Sequence, residues 1–149
     1  LSLHDALPIF DVVEMPYNYE DIILINNEWQ YEFFRLRSAG CRDDARELLY
    51  SIPPSKEADC YFVGQHFFEF EEYYPAIEML TYCIDFGYKN NSTWYRSMAY
   101  LLRAYSFAKI GKYSEAEKDI SYLDDEIKVA WLPHPEKEIS KAVITSMLR

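Results

Sequence analysis

Apolar positions along the 149 residues fall into three similar blocks separated by polar or glycine-bearing turns. In the first block Trp29, Phe33 and Leu36 recur at helical spacing, which predicts a helix over Glu28 to Ala39. Gly40 suits the left-handed residue that ends such a helix. Asp43-Asp44 then puts acidic charge in the first turn of a second helix, and Pro53-Pro54 stops it. The second block carries Val63, Gly64 and Phe67, then Tyr73 and Ala76, with Pro75 predicted in the first turn of its second helix and an end near Gly87. A polar stretch from Tyr88 to Thr93 leads to the third block, with Ser92 or Thr93 as the predicted cap. Tyr100, Ala104, Phe107, Gly111, Tyr113 and Ala116 continue the rhythm. Outside the blocks, Asn18 is placed to cap a helix from about Tyr19 to Ile25. Asp124 to Trp131 fits a continued helix or an extended segment, and Pro133 and Pro135 interrupt the chain. Glu136 to Leu148 reads as a last amphipathic helix with Ile139, Val143, Ile144 and Met147 facing inward.

Aligned on the small residue of each second helix, the blocks centre on Ala45, Ala76 and Ala116. Five residues earlier stand Gly40, Glu71 and Gly111, and nine earlier Leu36, Phe67 and Phe107. Four residues later come Leu49, Leu80 and Ile120, and seven later Ile52, Cys83 and Leu123. This rhythm of small and large positions resembles the tetratricopeptide repeat, in which paired helices cross closely at small residues. The resemblance implies an all-α fold: a right-handed superhelix of three antiparallel helix pairs, an α-solenoid with flanking helices. The repeats run over about 26–54, 57–88 and 97–127, with a capping helix at about 136–148. They sit in one domain spanning 11–149. Two departures stand out. Glu71 replaces the customary turn glycine, and the alanines lie 31 and then 40 residues apart where the family uses about 34.

The first nine residues, LSLHDALPI, resemble the conceptual translation of a short-read sequencing adapter. Residues 1–10 are therefore set apart from the fold argument as a non-native segment, with Met15 a candidate start.

Charge narrows the choice of partner. Fifteen basic residues against 25 acidic ones give −10, so the surface repels phosphate backbones, and no basic run offsets it. A nucleic-acid ligand is not expected, and a basic protein is the complementary one. No apolar run approaches membrane-spanning length. Three cysteines do not form a disulfide framework, and Cys60 and Cys83 fall at packing positions, as in a reducing cytoplasm.

Catalytic material is scarce. His4 lies in the adapter-like segment, His134 stands between two prolines, and His66 sits mid-helix beside Phe67 and Phe68 in a packing context. Cys60 and His66 are six residues apart, on largely different helix faces, and make a poor dyad. There is no C-x-x-C, H-E-x-x-H, calcium loop or glycine-rich phosphate cradle. Cofactors, metals and a small-molecule substrate are accordingly not expected. A small hydrolase built around His134 is a distant alternative.

What the resemblance implies is a binding surface. The family's groove positions correspond here to Gln30, Phe34 and Arg37, then Tyr61, Gln65, Phe68 and Glu69, then Leu101, Tyr105 and Lys109. The lysine and asparagine clamp of heat-shock co-chaperones is absent from them. A second candidate surface is acidic: Asp43, Asp44, Glu71, Glu72, Asp124, Asp125 and Glu126. The expected function is non-catalytic protein binding. Its most concrete form is an acidic immunity-type inhibitor of a basic bacterial toxin domain, with a three-repeat secretion chaperone or general adaptor as the alternative.

Overall fold

The computed structural model describes residues 28–131 and 134–148, with side chains omitted at residues 28, 130–131 and 134–137. The chain divides into two compact units, residues 1–53 and 54–149. Asn18, the helix expected after it and the adapter-like segment lie outside the described residues.

The first unit contains α1 (Glu28–Ser38) and α2 (Arg42–Tyr50), packed on each other. The second contains α3 (Glu57–Glu69), α4 (Tyr73–Lys89), α5 (Arg96–Lys109) and α6 (Tyr113–Ile120). An antiparallel hairpin of β1 (Lys128–Trp131) and β2 (His134–Ser140) follows, then α7 (Lys141–Met147). The described residues are thus mostly helical with a minimal sheet. Within the second unit each helix from α3 to α6 packs on the next, α3 also touches α5, and α7 packs on α5 and α6.

The turn inside each helix pair repeats the same hydrogen-bond pattern. Gly40, Glu71 and Gly111 have φ of 81°, 61° and 81°, the left-handed region that glycine enters without strain. Behind each, one amide reaches back five residues to close the helix end: Cys41 to the Leu36 carbonyl (2.8 Å), Glu72 to Phe67 (2.9 Å) and Lys112 to Phe107 (2.9 Å). The next helix then opens with Ala45, Ala76 or Ala116 donating to the residue four before it. All three alanines are fully buried, so backbones approach where no longer side chain would fit. Glu71 adopts the glycine conformation without being glycine.

Gly64 shows how close the helices come. A Cβ there would lie 2.8 Å from Leu80 Cγ, so α3 and α4 cross at a contact only hydrogen can occupy. Pro75 stands in the first turn of α4, as expected. Asn91, at φ 54°, repeats the same helix exit after α4, with Ser92 N–H donating to the Gly87 carbonyl at 2.8 Å.

Three expectations need correction. Tyr95, without a side-chain cap bond, precedes α5 instead of Ser92 or Thr93. The Ser92 hydroxyl donates to Glu57 Oε1 at 2.8 Å and so ties the loop to the start of α3. The last helix is half the expected length, because residues 134–140 pair with 128–131 as a strand and α7 starts only at Lys141. Ser140 sets that boundary: its backbone is extended and its hydroxyl accepts from Val143 N at 3.1 Å. Ile139 and Ile144 are buried as expected, whereas Val143 is exposed and Met147 only half-buried.

Candidate functional site

The residues carried over as a groove are largely covered. In the first unit Gln30 and Phe34 are buried, and the half-buried Arg37 guanidinium lies 5.8 Å from the Phe33 ring centroid. In the second unit Tyr61 stacks on Tyr95 at 4.8 Å, and Phe68 meets Tyr105 edge-on at 5.3 Å with Tyr73 beside both. Lys109 Nζ lies 5.7 Å from the Tyr105 centroid. Phe68, Tyr105 and Lys109 are therefore brought together. Gln65 is half-buried, Leu101 has no exposure, and Glu69 is buried with Oε2 3.7 Å from His66 Nδ1. Burial raises the Tyr61, Tyr73 and Tyr105 phenols above their usual values, with neighbouring carboxylates adding to the effect. They act as packed, neutral rings.

The acidic candidates are more accessible. Asp43 and Asp44 are exposed in the first unit, Asp43 lying 3.5 Å from Arg46. In the second, Glu71, Asp124, Asp125 and Glu126 are exposed and Glu72 is half-buried. Asp125 meets Lys141 Nζ at 3.2 Å, and the same ammonium donates to the Leu123 carbonyl.

A cleft between α4, α5 and α6 was not anticipated. It encloses about 450 Å³ and is lined by Thr81, Ile84, Asp85 and Tyr88 of α4, Tyr100, Arg103 and Phe107 of α5, and Glu115, Lys118, Asp119 and Tyr122 of α6 and its exit. Arg103 organises its floor. Its Nε and Nη2 donate to the two Asp119 carboxylate oxygens at 2.8 and 2.7 Å, and Nη1 donates to Thr81 Oγ1 at 3.0 Å. This two-pronged pairing fixes the guanidinium plane as a single hydrogen bond could not. The same group lies 5.5 Å from the Tyr100 centroid and 5.6 Å from that of Phe107. Burial pushes the Asp119 carboxyl above its ordinary value, and the Arg103 hydrogen bonds oppose that without cancelling it.

The wall is aromatic. Tyr88 and Tyr100 share a hydroxyl–hydroxyl hydrogen bond at 3.1 Å, and Tyr100 lies against Tyr122 at 4.9 Å. Arg96, at the start of α5, sits 3.8 Å above the Tyr88 ring. One sequence signal was available: Arg103 and Asp119 are opposite charges at inward positions of consecutive helices, Arg103 beside the packed Ala104 and Asp119 three residues after Ala116. Buried charge of that kind implies a partner.

Among the described residues no group of three or more His, Cys, Asp or Glu is arranged to hold a metal. Within them, no helix is long and apolar enough to cross a membrane. The His134 side chain lies outside the described set. No family model matches the chain, and neither does any curated protein or solved structure.

Proposed function

We propose that the chain is a non-catalytic protein-binding module of the tetratricopeptide-like class, its helix pairs stacked as a short right-handed superhelix. The single observation that carries this reading is the turn repeated at Gly40, Glu71 and Gly111, each five residues before a fully buried alanine. The same left-handed turn, kept even where a non-glycine residue has to accept strain, is what a structural repeat requires, and such repeats serve as binding scaffolds. The partner is a basic protein, captured through the exposed carboxylates. The most concrete form is an immunity-type inhibitor of a basic toxin domain, an analogy drawn from size, acidity and helical build. Burial of Tyr61, Phe68 and Leu101 weighs against the chaperone alternative, which needs those side chains as accessible anchors.

Pull-down from the source lysate, followed by association kinetics of the captured protein, tests the proposal. The on-rate should fall as salt rises and screens the field. It should also fall when Asp124, Asp125 and Glu126 are together changed to amides, with the circular dichroism spectrum unaltered. A neutral or acidic partner, bound equally fast at low and high salt, would remove the physical basis of the reading.

A further inference from the structure

We propose that the cleft between α4, α5 and α6 receives an arginine side chain of the basic partner, an assignment that rests on the binding role proposed above. Its volume of about 450 Å³ lies within the range of ligand-sized pockets. Its chemistry suits a guanidinium in two respects. Planar rings line it, and guanidinium groups already lie on them: Arg96 at 3.8 Å from Tyr88, and Arg103 at 5.5 Å from Tyr100. Carboxylates line it too, and Arg103 grips one of them with two parallel hydrogen bonds. The cleft therefore contains a worked internal example of the recognition it would offer.

Part of this surface is open to solvent. Asp119 is spent on Arg103, whereas Glu115 and Asp85, whose charge also acts on Arg103, are exposed at the cleft wall. Tyr122 has one face against Tyr100 and remains 55% exposed. An incoming guanidinium would stack on Tyr122 and donate to Asp85 or Glu115. Lysine fits less well, because an ammonium cannot lie flat on a ring while forking to a carboxylate. An anion fits worse. The Arg103 fork already faces Asp119, the Arg96 guanidinium is stacked on Tyr88, and Asp85 and Glu115 would repel the anion although Lys118 would attract it.

The test titrates hexa-arginine, hexa-lysine and inorganic phosphate separately into the full chain while the tyrosine ring resonances are followed by NMR. Hexa-arginine should shift Tyr88, Tyr100 and Tyr122 saturably, more tightly than hexa-lysine. The Asp85→Asn/Glu115→Gln variant should weaken it by about twofold to fivefold at low salt, as expected for exposed charge pairs. Tyr122→Ala should also weaken it, and an unchanged amide spectrum away from the cleft would show that either variant folds. Neutralising Asp124, Asp125 and Glu126 should leave these three ring shifts in place. Absence of saturable shifts, equal affinity in the Asp85/Glu115 variant, or ring shifts with phosphate instead of arginine would each overturn the assignment. If the captured partner keeps its salt-dependent association with the Asp85/Glu115 variant at full strength, the cleft assignment fails alone and the broader binding role stands.

Discussion

Glu71→Gly should stabilise the second unit. Glu71 holds φ at 61°, where its Cβ crowds the following carbonyl at a cost of about 1–2 kcal/mol for an L-residue. Glycine removes that strain but adds freedom to the unfolded chain, which takes back about 0.4–1 kcal/mol. The net gain is therefore about 0.5–1 kcal/mol, or about 1–4 °C in Tm for a chain of this size. Glu71→Ala is the matched control, since it deletes the carboxylate and keeps the strain; it should melt close to the parent. Gly40 and Gly111 supply the converse. A Cβ built at either meets nothing within 4 Å, so Gly111→Ala should lose about 0.5–1 kcal/mol through the backbone alone. Calorimetry and urea titration on the four proteins measure the set. A Glu71→Gly variant that melts at or below the parent while Glu71→Ala matches it would refute the reasoning, because strain would then not be what position 71 carries.

Packing at the helix crossings gives a second expectation: Ala76→Leu or Ala116→Leu should cost about 1–3 kcal/mol in thermal melts, and Gly64→Ala should also destabilise because its Cβ would meet Leu80. Burial raises the Cys60 and Cys83 thiols to about 12 while Cys41 is exposed, so a thiol reagent should label one cysteine quickly and the other two only on unfolding. Asp119 sets a pH trend. Its folded pKa lies above the unfolded value of 3.8, so the native state binds the proton first as pH falls. Its ionised form is a penalty fully present above the folded pKa, and the parent should gain stability relative to Asp119→Asn as pH drops through that value. Urea titrations of both proteins across acidic pH would show it, and a parent that loses stability relative to Asp119→Asn on acidification would contradict it.

The helix pairs were legible because their geometry is written at fixed offsets. A buried alanine, a left-handed residue five before it and a large residue four after it each answer one steric demand, and even Glu71 is located by the demand it meets. The hairpin was only half legible: an extended segment was one of two readings for Asp124 to Trp131, but Ile139, Val143 and Ile144 fit a helical stripe as well as a strand followed by a short helix. What separated those readings was the Ser140 cap and the pairing of Val129 with Ile139, and pairing is a nonlocal fact. The groove residues were placeable on a helix face, but whether Tyr61 or Phe68 stays open depends on rings arriving from Tyr95 and Tyr105 on the next pair. The cleft was missed because the tyrosines and carboxylates that form it are scattered over three helices and none belongs to a motif.

α5 touches α3, α4, α6, α7 and β2, whereas α3 and α7 are each held from one side of it. The second unit is consequently not a row in which every member is equally replaceable. α3 is nevertheless firmly packed on α4, with most of its residues buried, so opening at the hairpin end should precede opening at the α3 end. The amides of α5, the helix with the most neighbours, should accordingly be the slowest to exchange with solvent. The Arg103 floor of the cleft is built on that helix, so the part of the surface with the most specific chemistry should also be the most persistent.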